Sequence, residues 1–406
     1  MRQTELFTKT RREAPKDEEA KNAKLLIRAG FINKEMAGIY DYLPLGLRVL
    51  EKIENIIREE MNALGGQEIS MSTLQKRELW ERGQNRWSDD KLPWFKTKLK
   101  SGNELGLATT HEEPITNMLE QFVSSYQNLP FSVYQFQTKF RNEERAKSGI
   151  LRTREFLMKD MYSFSRTQDE HDKFYEKAKI AYRNVFNRVG IGDVTYLTLA
   201  SGGSFSKYSH EFQTLTEAGE DTIYIKNENE KEAVNKEVEM PVGVPEKKAI
   251  EVGNIFSLGT RFSDPYLSFN DQVGKQQLVI MGCYGIGLGR LMGTVVEVLS
   301  DEQGIVWPKE ITPFQVHLLA LSDKVGSFAD EIYKTLISRG IEVLYDERDL
   351  RAGEKFADAD LIGISTRVVV GEKTVESRML EVKDRATGEI KEMTIEHLIE
   401  ILRDRV

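Results

Sequence analysis

The sequence predicts a protein of at least two domains, the last of which is a small α/β domain. A length of 406 residues leaves room for two or three domains. The segment Trp307-Pro308-Lys309-Glu310-Ile311-Thr312-Pro313 carries two prolines in a short span, which is typical of a linker. After it, strand-like and helix-like patterns alternate, as they do around a partly parallel sheet. We therefore expect one boundary, between residues 1–310 and residues 311–406.

Two long helices are predicted before that boundary. The first lies between Pro44 and the Gly65-Gly66 pair, and its expected buried face is formed by Leu47, Leu50, Ile53, Ile57, Met61 and Leu64, which recur at steps of three and four. The second begins after Thr167, whose spacing to Glu170 suits a capping box, and ends before Gly190. Residues 226–248 are polar, so we expect a solvated excursion there and no separate domain.

The C-terminal domain is expected to contain four strands and three helices. The strands are Phe314–Leu321, Ile341–Tyr345, Arg367–Val370 and Met379–Lys383, and the helices are Phe328–Ser338, Lys355–Ile362 and Ile395–Arg403. From Ile311 onward there are 14 basic and 19 acidic residues, so charge alone does not indicate RNA binding by this domain.

Composition and charge exclude several classes of protein. The chain has 57 Lys and Arg against 65 Asp and Glu, a formal net charge of -8, so a nucleic-acid partner must be met by local patches. Apolar runs such as Gln277–Met281 are too short to span a bilayer, and residues 1–5 lack the apolar core of a signal peptide. The single cysteine, Cys283, forbids internal disulfides and a cysteine-based zinc site. We expect a cytoplasmic protein with no membrane partner and no zinc.

The densest basic stretch is the first candidate for chemistry. Residues 139–159 contain seven basic and three acidic side chains, on two strand-like pieces joined by a polar loop. Such a hairpin can direct guanidinium groups at a polyphosphate, and Phe156 offers a face on which a base can stack. A salt-bridged surface hairpin explains the same composition.

A glycine-rich segment is the second candidate. In residues 279–292 a strand leads through Gly285, Gly287 and Gly289 into an apolar helix with Arg290 near its start. Glycines allow a close backbone approach, and a helix N-terminus favours phosphate, but the spacing fits neither the dinucleotide-binding motif nor a P-loop. A packing turn between strand and helix is the plainer interpretation.

Two other residue types do not indicate the chemistry with which they are often associated. Cys283 has no histidine near it in sequence, so we interpret it as part of a pocket wall and not as a nucleophile. The segment His111-Glu112-Glu113-Pro114-Ile115 lacks the second histidine of a zinc-protease helix.

Together these segments resemble the three signatures of class II aminoacyl-tRNA synthetases. Arg141-x-Glu143 with Arg154-Glu155-Phe156 is similar to the second signature, Gly285–Arg290 to the third, and Leu45-Gly46 with the helix that follows to the first. Further blocks resemble bacterial prolyl-tRNA synthetases: Arg28–Ile32, Pro44–Arg48, Thr110-His111-Glu112-Glu113, Met158–Phe164, Ser209-His210-Glu211-Phe212, Met281–Gly287, Asp346–Arg348 and Lys355–Gly363.

The resemblance implies a fold and a reaction. Residues 1–310 would form an α+β class II catalytic domain, an antiparallel sheet flanked by helices, and residues 311–406 an anticodon-binding domain. Bacterial members often carry an editing insertion, whose place here is taken only by residues 226–248. The implied reaction joins L-proline to tRNA(Pro) through a prolyl-adenylate, with ATP and Mg²⁺ as the substrate complex.

The resemblance also implies roles for particular residues. Arg141 would bridge the α-phosphate and the proline carboxylate, and Arg290 is the second catalytic arginine. The ATP site would comprise Arg141, Glu143, Arg152, Thr153, Phe156 and Arg290, with adenine between Phe156 and Arg290. The proline site would comprise Thr110, Glu112, Arg141 and His210. Anticodon contacts are expected at Glu347, Arg348 and Lys355, for each of which an ordinary exposed charge is an equal alternative. No magnesium ligand can be assigned.

Partners and departures complete the expectations. The first-signature helix would form a homodimer interface. Without an editing domain, accuracy would need either a separate deacylase that removes mischarged alanine or a naturally low alanine supply. The chain departs from the family pattern at Thr109, Asn254 and Ser365, where Pro, His and Pro are usual. Two rival functions are a synthetase for another amino acid, such as threonine, and a non-catalytic relative that binds tRNA or a protein.

Overall fold

The computed structural model describes residues 1–82, 85–88, 92–144, 146, 148–203, 205 and 208–403. These residues form two units. Unit 1 comprises residues 1–36, 40–53 and 295–406, and unit 2 comprises residues 37–39 and 54–294. The N-terminal residues thus cluster with the C-terminal domain, while the boundary at residue 310 stays a prediction.

Regular elements follow one another along the whole described chain. The helices are α1 (Lys21–Arg28), α2 (Pro44–Ala63), α3 (Arg77–Glu81), α4 (Glu112–Leu119), α5 (Gln168–Arg188), α6 (Leu288–Leu299), α7 (Gly326–Ser338), α8 (Ala352–Ile362), α9 (Glu372–Ser377) and α10 (Ile395–Arg403). The strands are β1 (Ile32–Met36), β2 (Ile39–Tyr42), β3 (Gln67–Glu68), β4 (Leu74–Lys76), β5 (Lys96–Lys98), β6 (Glu104–Leu107), β7 (Phe131–Phe140), β8 (Glu155–Ser165), β9 (Thr195–Ser201), β10 (Tyr208–Leu215), β11 (Asp221–Asn227), β12 (Glu232–Asn235), β13 (Glu246–Gly259), β14 (Ser268–Asn270), β15 (Gln276–Leu278), β16 (Ile280–Gly287), β17 (Val316–Ala320), β18 (Val343–Asp346), β19 (Thr366–Val370), β20 (Leu380–Asp384) and β21 (Ile390–Met393). None of the helices in the described ranges is both long and apolar enough to cross a membrane.

Unit 2 is built on a nine-stranded sheet in the order β10-β9-β12-β11-β13-β16-β8-β7-β3. All of its pairings are antiparallel except β3 with β7 and β12 with β9. Strand β10 also pairs with β13, so β10, β9, β12, β11 and β13 form a closed ring. The expected antiparallel sheet flanked by helices is therefore confirmed.

Helix α5 covers one face of this sheet. Thr167 caps it by accepting a hydrogen bond from the backbone N–H of Glu170. The Glu170 carboxylate accepts from the backbone N–H of Arg166, one residue earlier than a capping box requires. Aromatic side chains of α5 lie against Phe212 and Tyr284 of the sheet. The opposite face of these strands is left for the site described below.

Helix α2 confirms most of the predicted pattern and corrects one residue. Leu50, Ile53, Ile57 and Met61 are buried as expected, and Leu64 follows the helix end. Leu47 was placed on the buried face by its spacing, but it is 45% exposed. The buried face begins at Leu45 of the same turn and continues through Val49 and Ile53 at steps of four, and Leu47 lies off this face.

The polar excursion 226–248 belongs to the sheet. Strand β12 lies within it and pairs with β11 and β9, burying Ala233 and Val234. Residues 226–227 end β11 and residues 246–248 begin β13, so the solvated excursion is limited to the turns between strands, and the segment builds no domain of its own.

The C-terminal sheet of unit 1 has the order β18-β17-β19-β20-β21, parallel across β18, β17 and β19 and antiparallel beyond. This confirms the partly parallel sheet. Helix α9 and strand β21 are additions that the sequence pattern did not predict. Arg2 forms a parallel bridge with Tyr345, so the N-terminal residues line the outer edge of β18.

Candidate active site

Strands β7 and β8 form the hairpin that the basic stretch predicts. They pair antiparallel, with Lys139 opposite Phe156. The register continues one step beyond β7, where the Arg141 N–H donates to the carbonyl of Arg154 at 2.8 Å. Arg145 and Lys147, which belong to the same basic stretch, lie outside the described residues.

A cleft opens at the end of this hairpin, against β13, β16 and the start of α6. It is lined by Arg141, Glu143, Ile150, Leu151, Arg152, Thr153, Phe156, Met158, Glu251, Val252, Gly253, Asn254, Gly285, Gly287 and Arg290. All six residues expected at an ATP site are among them. Gly285 and Gly287 of β16 are among these lining residues, so two positions of the cleft wall carry no side chain.

Arg141 differs from the other arginines of the cleft. Among the described residues it makes no ion pair, and its guanidinium lies 5.2 Å from the centre of the Phe156 ring. Burial lowers the pKa of Arg141, and the neighbouring positive charge of Arg290 lowers it further. A cation that is desolvated in this way and lacks a protein counter-ion is suited to an anionic ligand.

The other two arginines are held by the protein. Arg290 donates from Nε to the carbonyl of Leu151 at 2.8 Å and lies 3.4 Å from the Glu251 carboxylate. Arg152 pairs with Glu143 at 2.7 Å and with Glu220 at 3.1 Å. The alternative interpretation of the basic stretch, a salt-bridged surface hairpin, thus describes Arg152 but not Arg141.

A second group of residues lies around Glu112, at the start of α4. Glu112 is 1% exposed, and its Oε2 accepts a hydrogen bond from Thr110 Oγ1 at 2.6 Å. The Cys283 thiol donates to Oε1 of the same carboxylate at 3.4 Å. Burial raises the pKa of Cys283 well above its usual value, and the charge of Glu112 adds to the effect. A thiol that stays protonated and donates to a carboxylate is not a nucleophile.

These two groups share Arg141. The negative charge of Glu112 is one of those that favour the charged form of Arg141, together with Glu251 and Glu143. Arg141 thus stands within the electrostatic reach of both the cleft and the buried Glu112 carboxylate.

His210 is not brought together with this group. Its Nδ1 lies 2.9 Å from the hydroxyl of Tyr175 on α5, so the side chain is on the α5 face of β10. Its neighbour Glu211 points to the opposite face, as alternation along a strand requires. Burial lowers the pKa of His210 to about 4.

The sequence prediction missed an acidic group beside the cleft. Burial and the charge of Glu251 raise the pKa of Glu211 to about 8. Gln213 Nε2 donates to both Glu211 and Asp221, at 2.8 Å each. Asn254, a departure from the family pattern, donates to Glu251 Oε1 at 2.6 Å. Strand alternation around His210 was the available signal for Glu211.

The three residues expected to contact the anticodon are engaged within unit 1. Glu347 accepts hydrogen bonds from the Gln3 backbone and the Thr4 hydroxyl. Arg348 pairs with Asp346 at 2.7 Å and with Asp358 at 2.9 Å. Lys355 is 2% exposed and donates to the carbonyl of Ala320 at 2.6 Å.

Comparison with known protein families matches two separate segments of the chain. Residues 95–299 match the tRNA synthetase class II core domain (G, H, P, S and T), and residues 315–405 match the anticodon binding domain. The proline–tRNA ligases of Bacillus cereus (strain AH187) and Bacillus anthracis (strain A0248) are each 33% identical to this chain, over 98% of it and 98% of the relative. The alignments span 560 positions against the 406 residues here, so these relatives carry residues that have no counterpart in this chain.

Solved structures show the same fold. Prolyl-tRNA synthetase from Cryptosporidium parvum complexed with L-proline and AMP aligns with a TM-score of 0.78 at 16% identity, over 94% of this chain and 75% of that one. The complex of the same enzyme with halofuginone and AMPPNP aligns with a TM-score of 0.78 at 17% identity, over 95% of this chain and 78% of that one. The core-domain match and the cleft thus define a class II tRNA synthetase. The similarity along nearly the whole of both chains places it more narrowly, and the chain belongs to the proline–tRNA ligase family.

Proposed function

We propose that the cleft around Arg141 is where this enzyme activates L-proline with ATP before transfer to tRNA(Pro). The enzyme is a proline–tRNA ligase that works through a prolyl-adenylate, without an editing insertion domain. The observation that carries the assignment of the site is Arg141, a desolvated guanidinium that forms no ion pair with any described residue and lies in the electrostatic reach of Glu112.

In the first step the proline carboxylate attacks the α-phosphorus of ATP, and pyrophosphate leaves. Negative charge builds on the α-phosphate oxygens, where the Arg141 guanidinium can donate two hydrogen bonds. We assign Arg290 to the same nucleotide, because Leu151 and Glu251 hold its guanidinium at the cleft wall. Adenine would lie between Phe156 and Arg290, with Glu143, Arg152 and Thr153 contacting ATP from the loop. Mg²⁺ would enter as part of the ATP complex.

We assign the amine of proline to Thr110 and Glu112. A secondary ammonium group needs an anionic partner, and the Glu112 carboxylate is fixed by Thr110 on one oxygen and by Cys283 near the other. His210 was expected to line this pocket; its position on the α5 face favours a role in packing. The second step, attack by the terminal ribose hydroxyl of tRNA on the adenylate carbonyl, needs no further protein nucleophile.

Three further assignments rest on the family. We infer that residues 1–310 form the catalytic domain and residues 311–406 the anticodon-binding domain, in which Glu347, Arg348 and Lys355 are the candidates for tRNA contact. We infer a cytoplasmic homodimer formed through the first-signature helix, where Leu47 is exposed. We also infer that a separate deacylase removes mischarged alanine, since residues 226–248 provide no editing domain.

Pyrophosphate exchange with each amino acid in turn tests the proposal. Proline alone should support fast exchange; support by threonine instead, or by none, would favour one of the two rival functions. Arg141→Ala should lower proline-dependent exchange ~100- to 1,000-fold, the usual cost of losing one preorganised donor. Arg77→Ala is the matched control, because it removes an exposed guanidinium paired with Glu81 and Glu104 outside the cleft. Exchange within tenfold of wild type in Arg141→Ala would reject the assignment.

A further inference from the structure

A lysine without solvent access lies beneath the proposed amino-acid site. Lys139 is 0% exposed and stands on β7, two residues before Arg141. Its Nζ forms an ion pair at 2.8 Å with Oδ1 of Asp160 on the neighbouring strand β8. Oδ2 of Asp160 accepts hydrogen bonds from Gln135 at 2.9 Å and from Tyr162 at 3.0 Å. A buried ion pair contributes little stability relative to well-packed apolar residues, so its presence calls for another explanation.

The Lys139 ammonium also contacts the ring of His111, with 2.7 Å between Nζ and Nδ1. The other ring nitrogen, Nε2, lies 3.2 Å from the backbone carbonyl of Ser72. A carbonyl oxygen only accepts, so Nε2 must carry the proton. An ammonium group only donates, so Nδ1 must be the unprotonated nitrogen. Both neighbours therefore select the same neutral tautomer.

The charged groups around the ring support a neutral imidazole. Burial lowers the pKa of His111 to about 4, and the positive charge of Lys139 lowers it while Asp160 opposes the shift. The ring is 0% exposed, and each of its nitrogens has a hydrogen-bond partner, so its orientation is fixed.

His111 stands between the two residues assigned to the proline amine. Thr110 and Glu112 are its chain neighbours, joined by their 2.6 Å hydrogen bond, and Gln75 Nε2 holds the Thr110 carbonyl at 3.0 Å. A displacement of the anchored His111 side chain would be passed to the backbone from which both neighbouring side chains extend. The His111 ring is therefore held at both nitrogens, by Lys139 of β7 and by the backbone carbonyl of Ser72, and this adds to the contact that Cys283 makes with Glu112.

We propose that the Lys139–Asp160 ion pair, acting through the fixed tautomer of His111, is the positioning element that holds Thr110 and Glu112 in the proline-binding arrangement. This deepens the proposed function and rests on it. Lys139 and His111 touch no substrate; they set the geometry of the residues that do. The proposal predicts a selective effect on proline, because Phe156, Arg290 and the loop that line the ATP cleft do not depend on His111.

The first test is the tautomer in the wild-type protein. Nitrogen-15 NMR of the five histidines, with His111→Asn identifying the His111 signals, should show a neutral ring protonated on Nε2 at pH 7. A ring protonated on Nδ1, or on both nitrogens at pH 7, would overturn the proposal. This result does not depend on catalysis, so it remains decisive even if proline exchange is absent and the proposed function fails.

The second test compares the kinetic constants for proline with those for ATP in variants of Lys139 and His111. Lys139→Met and His111→Leu should lower kcat/KM for proline ~10- to 100-fold, the scale expected when a binding group is misplaced by about 1 Å. The KM for ATP should stay within about threefold of wild type. His111→Asn keeps an acceptor near the position of Nδ1 and should recover part of the loss.

Controls and contrary outcomes complete the design. Lys173→Met removes a 71% exposed lysine on α5 and should leave both substrates unaffected. Circular dichroism checks that each variant folds. If Lys139→Met does not fold, the proposal is tested by the kinetics of His111→Leu and His111→Asn and by the tautomer of the wild-type protein. Unchanged proline kinetics in folded Lys139→Met, or equal losses for proline and ATP, would refute a positioning role.

Discussion

The acidic group beside the cleft predicts a pH-dependent stability that a single substitution should remove. Glu211 faces Glu251 and Asp221 in a partly buried position, and its pKa is raised from 4.5 to about 8. An acid whose pKa is higher in the folded state binds its proton more tightly there than in the unfolded chain. Stability from this group is therefore greatest below pH 4.5 and declines as the pH rises toward 8, where the folded form also ionises.

The size of the effect follows from the shift. Each pKa unit corresponds to ~1.4 kcal/mol, so a rise from 4.5 to about 8 gives at most ~5 kcal/mol. Part of the shift comes from repulsion by Glu251, and that part belongs to the pair of carboxylates and not to Glu211 alone. We therefore expect removal of the Glu211 charge to stabilise the fold by ~2–5 kcal/mol. Glu211→Gln keeps an oxygen that accepts from Gln213 and cannot ionise. For a domain of this size the gain corresponds to roughly 5 °C or more in the unfolding midpoint.

The assay is thermal unfolding of both proteins at pH 5 and pH 8.5, followed by tryptophan fluorescence. The midpoint of Glu211→Gln should exceed that of the wild type by several degrees more at pH 8.5 than at pH 5. Glu176→Gln is the matched control, because it neutralises a 66% exposed carboxylate on α5 and should show no such widening. A gap that is equal at both pH values, or smaller at pH 8.5, would refute the reasoning.

Three further predictions concern the chemistry. Cys283→Ser should retain most proline activation, because the hydroxyl can still donate to Glu112; complete loss in a protein with unchanged circular dichroism would contradict this. Arg348→Ala should weaken tRNA charging and spare pyrophosphate exchange. Equal damage to both, with a lowered unfolding midpoint, would show that its pairs with Asp346 and Asp358 only support folding. Preformed alanyl-tRNA(Pro) should persist at its spontaneous rate in the presence of the enzyme, and fast enzyme-dependent hydrolysis would reveal an editing site elsewhere.

Local patterns predicted most of the elements because those elements follow local rules. The bounds of α10 agree at both ends, and α5 begins at the cap that Thr167 supplies. The closed ring of β10, β9, β12, β11 and β13 could not be predicted, since it depends on pairings between strands distant in sequence. The grouping of residues 1–36 with the C-terminal domain is of the same kind.

The direction of a side chain on a strand was the main gap in the prediction of the site. His210 and Glu211 are adjacent, and their motif was recognised, but only the packing of α5 decides which of them faces the cleft. The family resemblance implied that His210 lines the proline pocket. The structure gives the cleft side to the carboxylate.

Basic residues counted along a sequence also overstate the charge available to a ligand. Of the seven between residues 139 and 159, Lys139 faces Asp160 and Lys159 donates to the Tyr182 hydroxyl. Arg154 donates to the carbonyls of residues 37 and 143, and Arg152 is paired with acidic side chains. Among the described members only Arg141 is left without an ion pair or a carbonyl partner. Because a desolvated cation is costly until it is paired, we expect Arg141, which forms no ion pair with the described residues, to be the member of this stretch that binds an anionic ligand.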